Sequence, residues 1–209
     1  MDLQFYGANC LTVSSKRVRL VFDDNLSELG GKSVSRQNDV VIFSSFQHPA
    51  VQAKTRLLID GPGEYEVGDC MIQGIAVRAH MDEAGKKTSI LYKVSAGDLD
   101  IVVTGHIYPE LTDNEMERIG LVDVLCIPVG GNGYTVDGAG ALSIIKKIEP
   151  KIVIPTHYAD EKLNYPVPQA QLSVALHEMA MDVTQELDKL RLRAPDLPPT
   201  TQLIVLKNE

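Results

Sequence analysis

The chain has 209 residues, 44% hydrophobic and 23% charged, with a formal net charge of −8. That length is enough for a domain with a substantial core, and the acidic balance argues against unspecific binding to nucleic acid or anionic membranes. No apolar run nears the roughly 20 residues needed to cross a bilayer, and the mixed, acidic N-terminus does not read as a signal peptide, so export is not expected.

In chain order, Leu3–Gly7, Cys10–Ser15 and Val18–Asp24 read as strands joined by tight turns. Glu28–Asn38 is polar and reads as a loop. Asp39–Ser45 is a buried strand running straight into FQHPAV, and Arg56–Asp60 is another. GPGEYEVGD (61–69) is turn chemistry around Tyr65, with Glu64 and Glu66 as solvated turn carboxylates that could serve as acid or base. Cys70–His80 is extended. Asp82–Lys87 is a charged turn, and Ser89–Val94 with Asp100–Gly105 forms a hairpin.

Thr112 and Glu115 make a capping box for a short helix stopped at Gly120. DVLCIPV (123–129), a glycine loop, a helix with Ala141, Leu142, Ile145 and Ile148 on one face, and KIVIPTH (151–157) then form a βαβ unit with parallel strands. The loop at Gly130, Gly131, Gly133 and Tyr134 faces the helix start. It is either an anion seat or a plain strand-to-helix turn. A further helix starts at Pro168 or Gln169 with Leu172, Ala175, Leu176 and Met179 inward, and Gln202–Lys207 closes the sheet. No repeat or linker divides residues 1–209, so one α+β domain with two sheets is expected.

Three widely spaced cysteines (Cys10, Cys70, Cys126) make neither a disulfide framework nor a metal knuckle. Buried free thiols in a reducing cytoplasm are expected. Four of the five histidines, His48, His80, His106 and His157, follow predicted strands, while His177 lies within an amphipathic helix. Ligand sites in open α/β sheets gather at strand ends, and neutral imidazole is the commonest zinc ligand. These four are the candidate metal ligands. Spacing alone leaves open that each is an unrelated surface histidine, because none has i, i+2 or i, i+4 partners.

The order of elements, with GPGEYEVGD, TGHIYPELTDNE, DVLCIPVGGNGYTVD and KIVIPTHYAD, resembles the metallo-β-lactamase fold superfamily. Within it, the similarity is to the compact bacterial branch of metal-dependent hydrolases related to ascorbate-phosphate lactonase. The resemblance implies a four-layer αβ/βα sandwich with a dinuclear metal site at one edge, hydrolysing esters, lactones or phosphodiesters. It also implies that Asp23 or Asp24 braces the metal loop.

The departures from the family pattern fall on the ligands. In the first motif, H-x-H-x-D-H, alignment on Gln47-His48-Pro49 keeps only His48, with Phe46, Ala50 and Val51 where the other ligands would be, and a register starting at Ser45 keeps no ligand. His106 replaces the bridging aspartate, and an N-terminal Gly-His step is Gly7-Ala8. A dinuclear centre needs carboxylate to offset its charge, so the loss of that centre is expected, with apolar residues filling its place. Two readings remain. One is a non-catalytic homologue, binding a small anionic molecule or a protein partner. The other is a hydrolase running on one zinc or manganese ion held by His48, His80, His106 and His157.

Overall fold

Alternate residues of β1 (Asp2–Gly7) turn inward, Leu3 and Phe5 among them, the period-two pattern of a strand with one face in the core. The computed structural model describes residues 1–51 and 54–208. β2 (Cys10–Ser14) and β3 (Arg19–Phe22) run antiparallel to their predecessors, and β4 (Val40–Ile42) and β5 (Leu57–Ile59) add in parallel. A later short strand, Leu190–Arg191, completes a six-stranded sheet beside β1.

The second sheet begins with an antiparallel meander: β6 (Gly63–Val67), β7 (Cys70–Val77), β8 (Ser89–Ala96) and β9 (Leu99–Val103). β10 (Val124–Pro128) and β11 (Ile152–Thr156) join parallel to β9. β12 (Val183–Leu187), β13 (Leu190–Arg191, already placed in the first sheet) and β14 (Gln202–Leu206) finish the strands. The eight-stranded order is β12-β14-β11-β10-β9-β8-β7-β6.

The sheets pack face to face through Leu20, Phe22 and Ile42 on one side and Ile72, Ile90, Tyr92 and Ile101 on the other. α1 (Asp113–Ile119), α2 (Gly138–Ile148) and α3 (Leu172–Met179) all cover the outer face of the larger sheet. β10 and β11 are therefore buried on both faces and read as continuous apolar runs. The outer face of the smaller sheet has a thinner cover. A 3-10 turn, Leu26–Leu29, packs on Cys10 and Leu163, while Val34 and Val51 lie against Val21, Val41 and Phe43. The expected sandwich is present, with its fourth layer built from that turn and its loop rather than from an α-helix.

Local chemistry sets the boundaries. Both halves of the Thr112–Glu115 capping box form, and Asp137 caps α2 by accepting from the Gly140 amide at 2.8 Å. Some expectations are corrected. GPGEYEVGD contains strand β6, paired along its length with β7. As an edge strand with Glu64 and Glu66 exposed it carries no apolar run, which is why it resembles a turn. α3 begins at Leu172, because Gln169 is engaged elsewhere. β14 does not close the sheet but lies between β11 and the polar edge strand β12. Among the described residues no helix is long and apolar enough to cross a membrane.

Candidate functional site

Asp23, Ser44, His106 and His157 follow the C-terminal ends of β3, β4, β9 and β11, and together they line a cavity of about 300 Å³. Its base is a buried polar network. Asn9, in the β1–β2 turn, donates from Nδ2 to Asp23 Oδ2 at 2.6 Å and to the Thr104 carbonyl at 3.2 Å. Its Oδ1 accepts from Thr156 Oγ1 at 2.7 Å. The Ser44 amide and hydroxyl both donate to the Asp23 carboxylate at 2.7 Å. Burial pushes the Asp23 carboxyl above its ordinary value, and the bonds from Ser44 and Asn9 pull it back. The network ties the ends of β3, β4, β9 and β11 together. It also explains Gly105, where a Cβ would collide with the Ser44 side chain.

The four candidate histidines all border this cavity, but in different ways. His106 and His157 meet edge to face, with ring centroids 4.5 Å apart. The His157 ring nitrogen Nδ1 lies 3.1 Å from Gln169 Oε1. Gln169 Nε2 donates to the Val167 carbonyl, so Oε1 is the atom turned to His157 and Nδ1 carries the proton. Loss of water around the rings lowers both pKa values, to about 4 for His157 and, with His157 and His80 adding repulsion, to about 3 for His106. Both rings are neutral near pH 7. The His106 Nε2 and His80 Nδ1 atoms are buried without a hydrogen-bond partner.

His48 stands apart. Its ring stacks on Phe43 with centroids 4.2 Å apart, Nδ1 faces the Pro49 carbonyl at 2.9 Å, and Nε2 faces Asp60 at 3.2 Å. Both nitrogens thus meet acceptor oxygens. The expectation that Phe46, Ala50 and Val51 fill the metal position is corrected. Phe46 is 50% exposed, Val51 packs on the outer face of the smaller sheet, and none of the three lines the cavity. Ser44, Ser45 and Gln47 form that wall instead. Among the described residues, no three His, Cys, Asp or Glu side chains are grouped as a metal ion would require.

The glycine loop resolves as a strand-to-helix turn. A Cβ on Gly130 would run into Gln169 Oε1 and the His157 carbonyl, so the loop is packed directly against the site. At the start of α2 the Gly138 amide is already engaged, donating to Glu178 Oε2 of α3 at 3.0 Å. Glu64 and Glu66 lie on β6 and do not line the cavity. Burial raises the Cys126 thiol to about 12 and Cys10 well above its ordinary value, which leaves both as packing residues. His177 is exposed on α3. Asn9, Ser44 and Gln169 are the site residues that sequence reasoning missed. Each is a lone polar residue whose partner is distant in the chain, and only the strand ends on which Ser44 and Thr156 sit hinted at the network.

Two packed mixed sheets with a polar, histidine-bearing cavity at their strand ends define the metallo-β-lactamase fold. The family model of the Beta-lactamase superfamily domain matches residues 2–157, and the chain belongs to that superfamily. Among solved structures, it is similar to a Thermotoga maritima protein assigned as a Zn-dependent hydrolase of the metallo-β-lactamase superfamily. That match has a TM-score of 0.79 and 23% identity, covering 99% of this chain and 98% of the other. A metallo hydrolase from the archaeon Ignicoccus hospitalis matches with a TM-score of 0.61 and 16% identity over 86% of this chain and 90% of that one. The metallo-β-lactamase fold protein YhfI from Bacillus subtilis matches with a TM-score of 0.61 and 13% identity over 99% and 97%. At these identities the likeness concerns the fold.

Proposed function

We propose that this chain lacks the dinuclear metal centre and uses the cavity to bind a small molecule without hydrolysing it. The observation that carries this reading is the state of the first-motif wall. His48 has both ring nitrogens against Pro49 and Asp60, and both Asp23 oxygens already accept hydrogen bonds from Asn9 and Ser44. Two divalent ions would need several carboxylates directed at them, and buried charges are costly when they are unpaired. The cavity's described lining includes Asp23 and Glu28 but no lysine or arginine. We therefore place a neutral polar ligand ahead of the anion expected from the sequence. The three free, buried thiols support a reducing cytoplasm as the setting.

A second reading rests on a specific observation. His106 Nε2 and His80 Nδ1 are buried without partners, and the Gln169 contact leaves the lone pair of His157 on Nε2. To hold a single zinc or manganese ion, these three histidines would have to draw closer together than they stand here, since no three such side chains are grouped among the described residues. Such an ion would supply Lewis acidity and a nucleophile at neutral pH for ester, lactone or phosphodiester hydrolysis. The chain's own part would be to orient His157 through Gln169 and to hold the cavity base through Asn9 and Asp23.

Metal analysis of untagged protein, with thermal melts in added zinc or manganese, separates the two readings. The first expects well under one ion per chain and a melting temperature that zinc does not raise, in wild type and in His157→Ala alike. One ion per chain, with a zinc-dependent stabilisation abolished by His106→Ala, establishes the second. Two ions per chain would overturn both.

A further inference from the structure

A second cavity of about 270 Å³ adjoins the first. The two share Asn25, Glu28, Tyr134 and His157, which form a waist between them, and the second adds Leu29, Asn164, Tyr165 and Pro166. The residue at the waist is unusual. Asn25 occupies the N-cap position of the 3-10 turn Leu26–Leu29, where an asparagine side chain normally accepts a backbone amide. Here it makes no capping bond, and its Oδ1 is buried with no hydrogen-bond partner at all. An unsatisfied buried acceptor costs about 1–3 kcal/mol unless something donates to it.

The rest of the second lobe is ring-shaped in its chemistry. The Tyr165 hydroxyl accepts from the Ala8 amide at 3.2 Å and donates to the Tyr158 carbonyl at 3.1 Å, so its ring is what it has left to offer. Tyr134 adds a second ring and Pro166 an apolar edge, while Glu28 is an exposed acceptor at the rim. The lobe thus combines flat apolar surface with hydrogen-bond acceptors and carries no cationic side chain among its lining residues.

We propose that this lobe is a subsite for a neutral ring bearing hydroxyl groups, whether the sugar of a glycoside or the ribose of a nucleoside. One hydroxyl donates to Asn25 Oδ1, the ring lies against Tyr165 and Pro166, and the remainder of the molecule passes the waist toward His106. This deepens the binding reading given above and rests on it. It accounts for an N-cap asparagine that does not cap, and for a groove with acceptors but no lysine or arginine.

The test uses maltose and adenosine as probes, with spermidine as a cationic control, in ligand-observed NMR titrations of the full chain. Wild type, Asn25→Ala and Asn25→Asp are compared, the last keeping an acceptor oxygen. The expected result is saturable binding of at least one hydroxylated probe, weakened about threefold to tenfold in Asn25→Ala, the range of one hydrogen bond, and retained in Asn25→Asp. Asn25 is a half-buried residue at the start of a short turn, and equal melting temperatures of the variants show that folding is intact. Failure of both hydroxylated probes, binding of spermidine alone, or an unchanged affinity in Asn25→Ala would each overturn the subsite. Two metal ions per chain would instead remove the reading beneath it while leaving any Asn25 effect in place, so the two failures are told apart.

Discussion

The two walls of the cavity are built to different tolerances. The wall from β10, its glycine loop and β11 is packed so closely that a single methyl group at Gly130 has nowhere to go. The opposing wall after β4 is formed by Ser44, Ser45 and an exposed Gln47 beside a histidine turned to Asp60, on a loop that leaves Phe46 and Ala50 exposed outside the cavity. What joins them is the Asn9–Asp23–Ser44 network beneath. The contrast teaches that one frame can carry a wall fixed by close packing beside a wall that is not. Close backbone packing restricts sequence far more than an exposed loop does.

The largest effect that would sharpen this comparison is expected at Gly130. Gly130→Ala should cost about 3 kcal/mol or more, read from urea denaturation, because the neighbours it meets include the His157 backbone. A mild effect would show that this wall can yield and would break the contrast. Next comes the floor. Asp23→Ala leaves the Ser44 amide and the Asn9 side chain without their acceptor, and should cost about 2–3 kcal/mol in the same measurement.

A pH prediction follows from the histidine pair. His106 and His157 have folded-state pKa values lowered to about 3 and about 4, whereas in the unfolded chain they titrate near about 6.5. Between those limits the unfolded state binds more protons, so stability falls as pH drops from about 6.5 toward 4. His106→Gln should lose less stability than wild type between pH 7 and pH 5, judged by the shift in urea midpoint. Parallel losses in the two proteins would mean that His106 is better hydrated than the folded structure implies.

The smallest effect is expected on the open wall. His48 pairs with an Asp60 whose side chain is 52% exposed, so Asp60→Ala, which removes that pair and leaves the His48 ring on Phe43, should cost less than about 1 kcal/mol. A loss matching that at Asp23 would erase the distinction between the two walls.

Much of the frame was legible in the sequence because local chemistry carried it. The βαβ unit was marked by two apolar β-branched runs around a 3.6-period helix, and the Thr112–Glu115 box was readable from four residues. β6 and β12 were not, since both are edge strands with exposed polar residues and no buried run to announce them. At the site, His106 and His157 could be suspected as neighbours because they end strands on either side of β10. The direction His48 faces, and the pairing of Asn9 with Asp23 and Thr156, depend on tertiary contacts that no periodicity encodes. Phe46 was expected to plug the cavity because it stands at a ligand position, yet the loop turns it toward solvent.

The carboxylate of Glu178 is lodged on the first amide of α2. The mouth of a helix is where many α/β proteins cradle a phosphoryl group, and in this molecule that berth is taken from within. A phosphoryl group brought to the start of α2 would find its first amide already engaged by a carboxylate of α3. The anion at that helix start is one the fold supplies itself.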